Sequence, residues 1–93
     1  MNSQVTVRLI ISGRVQGVCF RHYTRETARA EGVCGWVRNR ADGTVEALLQ
    51  GSQSAVNAVT DWCHQGPPAA AVSRVHSENL EEDRNYTGFD IRY

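Results

Sequence analysis

Ninety-three residues, 41% of them apolar, suffice for one hydrophobic core and not for two, so a single domain spanning residues 1–93 is expected. Ten basic residues balance ten acidic ones, and this zero formal charge argues against nucleic acid or an anionic membrane surface as a partner. All ten basic residues are arginine, which excludes lysine-nucleophile and Schiff-base chemistry, and no apolar run approaches the ~20 residues of a membrane span.

Along the chain, Val5, Val7, Leu9 and Ile11 alternate with Thr6, Arg8, Ile10 and Ser12, the period of a strand with one buried face. The strand runs into Gly13-Arg14-Val15-Gln16-Gly17-Val18-Cys19-Phe20-Arg21. Gly13 and Gly17 lack a Cβ, so the backbone there can turn through positive φ and aim consecutive N–H groups at one point, as a phosphate cradle requires. A helix is predicted to begin near Phe20, and its N-terminus adds unpaired N–H groups and the positive end of the dipole. Arg21 in that first turn supplies a permanently charged planar fork; a cation is disfavoured there, and an anionic partner is the simplest compensation.

Phe20, Tyr23, Thr24, Thr27, Ala28 and Glu31 follow the helical period, Arg25, Glu26 and Arg29 form the polar face, and Gly32 terminates the helix. Residues 33–39 read as a second strand, with Cys34 and Trp36 on one face and Val33, Gly35 and Val37 on the other. Arg40-Ala41-Asp42-Gly43 is a hairpin turn, and residues 44–49 return as a third strand with Val45, Ala47 and Leu49 on one side. Gly51 and Ser52 end that strand, and Ser52 or Ser54 caps a second helix whose apolar stripe is Ala55, Val56, Val59, Trp62 and Cys63. Gly66 and Pro67-Pro68 stop the helix, residues 71–77 form a fourth strand, and 79–88 read as a polar surface excursion with a solvated acidic run. Phe89 and Ile91 alternate with Asp90 and Arg92 in a short closing strand, and Trp36 and Trp62 are expected to anchor the core.

The order βαββαβ plus a C-terminal strand, with two one-faced helices, predicts a ferredoxin-like two-layer α/β sandwich whose sheet is largely antiparallel and whose helices share one face. That topology brings the end of the first strand toward the following hairpin, making Asn39 the polar neighbour of the glycine loop. Cys19 lies where the dipole and Arg21 would activate a thiol, but the C-x5-R spacing of cysteine phosphatases is absent, and it reads as a small loop residue. Cys19, Cys34 and Cys63 are odd in number without a CxxC pair, and the N-terminus lacks a signal-peptide layout, so reduced thiols in the cytoplasm are expected. Cys19, His22, Cys34, Cys63, His64 and His76 show no zinc-ligand spacing, and no metal is expected. RNA-recognition domains share this element order, but residues 44–49 carry no aromatic motif for stacking bases.

The glycine loop, together with Gly35-Trp36-Val37-Arg38-Asn39, Asp42-Gly43-Thr44-Val45-Glu46 and Gly88-Phe89-Asp90-Ile91-Arg92-Tyr93, resembles the acylphosphatase family over nearly the whole chain and at the length of its free-standing members. The resemblance implies hydrolysis of the carboxyl–phosphate anhydride of acyl phosphates, without metal, cofactor or phosphoenzyme. It assigns phosphoryl binding to Arg21 and to the backbone amides of Gln16, Gly17, Val18, Cys19 and Phe20, and positioning of the attacking water to Asn39. The implied partner is a small acyl phosphate, with inorganic phosphate as product and inhibitor; separately, a small, charge-balanced domain with no long apolar run is expected to be a monomer. The alternative on the same residues is a phosphate-sensing module without turnover.

Overall fold

A computed structural model describes residues 4–93; residues 1–3, the start of the segment read as lacking a signal-peptide layout, lie outside the described residues. The elements run β1 (Gln4–Arg14), α1 (Phe20–Glu31), β2 (Cys34–Asn39), β3 (Val45–Ser52), α2 (Gln53–Gln65), β4 (Ala71–Leu80) and β5 (Phe89–Arg92). One sheet of five strands has the order β4-β1-β3-β2-β5. Every pairing is antiparallel except that of β5 with β2. The helices touch each other, α1 resting on β2 and β5 and α2 on β1, β3 and β4, so both cover one face of the ferredoxin-like sandwich.

The core lies between these layers. Val7, Leu9 and Ile11 of β1, Val37 of β2, and Val45, Ala47 and Leu49 of β3 meet Phe20 and Ala28 of α1 and Val56, Val59 and Cys63 of α2. Ser52 is the cap of α2, its Oγ accepting the Ala55 N–H at 3.2 Å. Gly32 closes α1 in the left-handed conformation, and the Val33 N–H returns to the Ala28 carbonyl at 2.8 Å. The Phe20 ring packs against Trp62 with centroids 5.4 Å apart. Burying such a side chain is worth about 1.5–3 kcal/mol, more than the roughly 0.3–1 kcal/mol that a cation costs at a helix N-terminus, so α1 starts here despite Arg21.

Four expectations need correction. Tyr23, placed on the buried face of α1 by its spacing, is 46% exposed, and the helix buries the narrower stripe Phe20, Thr24 and Ala28. Strand β3 continues past residue 49 to Ser52, because β1 pairs with it down to Gln4. Strand β4 likewise extends to Leu80, taking Asn79 out of the predicted excursion, since Val7 and Thr6 of β1 give Asn79 and Leu80 partners. The remainder, 81–88, is the surface segment expected, held to the sheet where Gln50 donates to the Arg84 carbonyl and accepts from the Tyr86 N–H, both at 2.8 Å.

Trp36 is the fourth. It is only 9% exposed, yet it stands on the face away from the helices, outside the core cluster that contains Val33 and Val37. The guanidiniums of Arg38 and Arg92 lie 5.7 and 4.7 Å from its ring centroid and shield it by cation–π contact. Trp62 is half-buried and packs on the core as expected. Among the described residues no helix is long and apolar enough to cross a membrane.

Candidate active site

The loop between β1 and α1 is shaped at both ends by backbone conformation. A register shift between Ser12 and Gly13 turns the end of β1 along β4, and a Cβ on Gly13 would come within 2.3 Å of the Ala71 carbonyl oxygen. Gly13 and Gly17 have φ of 118° and 75°, as the sequence leads one to expect. Cys19, the N-cap of α1, also adopts a left-handed conformation, φ 63°, and is the non-glycine residue that does so among the described residues. Nothing in a cysteine side chain announces this.

Val15, Val18 and Phe20 are buried while Gly17 and Cys19 are exposed, so alternate side chains pin the loop to the core. Among the described residues, the backbone N–H groups of Gln16, Gly17, Val18, Cys19 and Phe20 find no hydrogen-bond acceptor. Helix α1 has no side-chain cap and no acidic residue in its first turn. Its positive end therefore stands uncompensated, with Arg21 added to it. Arg21 forms no salt bridge among the described residues; its guanidinium lies 4.9 Å from the centroid of the Tyr93 ring.

Asn39 ends β2, opposite Val45, just before the turn at 40–43. That turn is fixed by Asp42, whose carboxylate accepts the Thr44 hydroxyl at 2.6 Å and the Thr44 N–H at 3.0 Å. The Asn39 Oδ1 is buried and has no hydrogen-bond partner among the described residues. A buried amide oxygen left without a partner costs on the order of 1–3 kcal/mol.

Gly17, Cys19, Phe20 and Arg21 share with Asn39 one cleft of about 360 Å³. Sequence reasoning thus leads to residues that meet in space. Gln16 and Val18 do not line the cleft: Val18 is buried, and the Gln16 side chain turns to the hairpin, donating to the carbonyls of Arg40 and Thr44 at 2.8 and 2.9 Å. Ile91 and Tyr93, which sequence reasoning missed, form another wall. Strand β5 runs parallel to β2, with Ile91 beside Val37 and Arg92 beside Arg38, so Tyr93 emerges at the same end as Asn39. No local pattern signals that pairing.

His22 borders the cleft at its rim, where its Nδ1 lies 3.2 Å from an Arg25 nitrogen. The three thiols are free and differ in burial: Cys19 is exposed, Cys34 is half-buried, and burial pushes Cys63 up to about 12, leaving it an inert thiol in the core. Among the described residues no three His, Cys, Asp or Glu side chains gather around a common point.

Comparison with known proteins places this geometry in context. The acylphosphatase family model matches residues 7–91. An acylphosphatase from Pelotomaculum thermopropionicum is 46% identical over 91 residues, 98% of this chain and 99% of that protein. The solved acylphosphatase from Coxiella burnetii superposes with a TM-score of 0.92 at 36% identity, covering 98% of this chain and 94% of the other. The acylphosphatase from Bacillus subtilis does so with 0.92 at 32% identity, covering 96% and 99%.

Proposed function

The chain belongs to the acylphosphatase family and is a hydrolase of acyl phosphates; we propose that Arg21 and the amides of residues 16–20 hold the phosphoryl group while Asn39 holds the attacking water. The observation that carries this division is that Asn39, whose Oδ1 has no hydrogen-bond partner among the described residues, lines the same cleft as Arg21. The Oδ1 accepts a hydrogen bond from the water and the amide nitrogen donates to a neighbouring oxygen, so the carboxamide orients the nucleophile without acting as a base.

Water attacks phosphorus, the bond from phosphorus to the bridging oxygen breaks, and the acyl group departs as a carboxylate. The water proton passes to a phosphoryl oxygen of the substrate, giving dihydrogen phosphate. Because a carboxylate leaves readily, no strong general acid is needed, and what remains is positioning and charge stabilisation. In a loose phosphoryl-transfer transition state the charge spreads over the equatorial oxygens, where the unpaired amides and Arg21 can follow it. In this reading the chain acts as a monomeric single domain in the cytoplasm and needs neither metal nor cofactor. Inorganic phosphate, which keeps the recognised end of the substrate, is its product and competitive inhibitor. Three free thiols fit a reducing compartment.

The test is hydrolysis of benzoyl phosphate in the presence of EDTA. Rapid turnover that EDTA does not change, with a simple alkyl phosphate ester left intact, is the expected result. Phosphate binding without turnover would instead make the chain a sensor.

A further inference from the structure

We infer that the side chain of Gln16 is a positioning residue that sets the distance between the phosphoryl loop and the carboxamide of Asn39, an inference that rests on the division of roles proposed above. The β1–β3 ladder ends at Ile11 opposite Val45. Beyond that rung β1 pairs only with β4, while the other chain becomes the turn at 40–43, so loop and turn share no backbone hydrogen bond among the described residues. Gln16 bridges the gap. Its amide group has two hydrogens, and both are used: Nε2 donates to the Arg40 carbonyl at 2.8 Å and to the Thr44 carbonyl at 2.9 Å.

Those two carbonyls are the neck of the hairpin. The Thr44 oxygen also accepts the Arg40 N–H at 2.8 Å, and the Arg40 oxygen accepts the Gly43 N–H at 3.2 Å. A single side chain thus braces the turn at the residue that immediately follows Asn39. The main chain of the same residue lies in the loop with its N–H unpaired. In the proposed division Gln16 therefore has two separable jobs: its backbone N–H is one of the loop amides assigned to the phosphoryl group, and its side chain, turned away from the cleft, fixes where the water-holding group stands relative to that loop. A displacement of about an ångström between nucleophile and phosphorus is enough to cost up to about 100-fold in rate.

The experiment is a double-mutant cycle between Gln16→Met, which keeps length and removes both donors, and Asn39→Ala, read with benzoyl phosphate as substrate and inorganic phosphate as inhibitor. Gln16→Met is expected to lower kcat at least about 10-fold while the phosphate inhibition constant stays within about 3-fold, and to change the residual rate of Asn39→Ala less than about 2-fold. Losses that multiply in the double variant, or a Gln16→Met kcat within about 2-fold of the parent, would overturn the inference. Failure of the underlying assignment looks different: Asn39→Ala alone would keep the parent kcat. Should Gln16→Met lose its far-UV circular dichroism, Gln16→Asn, which retains the amide but falls a methylene short of the two carbonyls, takes its place in the cycle with the same outcomes.

Discussion

Arg21 shows how a local conflict in the sequence marks function. A cation in the first turn of a helix opposes the dipole, and α1 offers it no acidic neighbour and no salt bridge among the described residues. In the proposed division of roles the residue costs stability in the free protein and recovers it when a phosphoryl group arrives. Replacing it separates the two effects. Arg21→Gln is expected to lower turnover by about 100- to 1,000-fold, roughly 3 kcal/mol of barrier, and to weaken phosphate inhibition. The same variant should unfold at equal or slightly higher urea, by up to roughly 1 kcal/mol, because the opposed charge is gone. Urea unfolding followed by circular dichroism checks that side of the trade. At this scale Gly13, Gly17 and Arg21 were legible because each carries its own conformational or electrostatic signature, whereas Asn39, an ordinary turn residue by itself, was legible only from the topology that sets it beside the loop and from the family resemblance. The left-handed Cys19 and the ring of Tyr93 over Arg21 were not, since one depends on the whole loop and the other on a distant strand.

Periodicity located all seven elements but could not say what each would meet. Glu46 reads as the outward member of an alternating strand, yet it is 4% exposed. Arg8 of β1 and Arg38 of β2 bind its two oxygens at 2.5 and 2.6 Å, and Arg8 continues to Glu78 of β4 at 2.6 Å. A chain of charges thus crosses four strands on the face without helices. Trp36 lies on that same face because the arginines, rather than a third layer, exclude water from it. Burial alone would raise the pKa of the Glu46 carboxyl, but the two guanidiniums outweigh it and hold the group below the ordinary glutamate range. A carboxyl with a depressed folded pKa contributes stability that is complete above its unfolded value and is lost as pH falls through the folded one. Stability should therefore fall as pH drops below the ordinary glutamate pKa of about 4.3, and Glu46→Gln should flatten that acid limb as well as destabilise the protein at neutral pH by stranding two arginines. Urea midpoints across this range measure it; an unchanged slope in Glu46→Gln would assign the acid limb to other carboxylates.

Across the whole molecule, the proposed function depends on one end of one sheet. The loop leaving β1, the hairpin leaving β2 and the chain leaving β5 converge there, and the core beneath them holds Val15, Val18 and Phe20 in place. The order βαββαβ with a closing strand was legible from alternation, caps and the glycine and proline breaks. The parallel pairing of β5, which adds Ile91 and Tyr93 to the cleft, was not, because four residues with period two fit an edge in either direction. That convergence makes a sharp demand on the two halves of the site. The direct measurement is the rate of benzoyl phosphate hydrolysis by Asn39→Ala together with its inhibition by inorganic phosphate. The account predicts turnover reduced about 100-fold or more, with the phosphate inhibition constant within about 3-fold of the parent. Parental turnover in Asn39→Ala, or an equal loss of turnover and phosphate affinity, would contradict it.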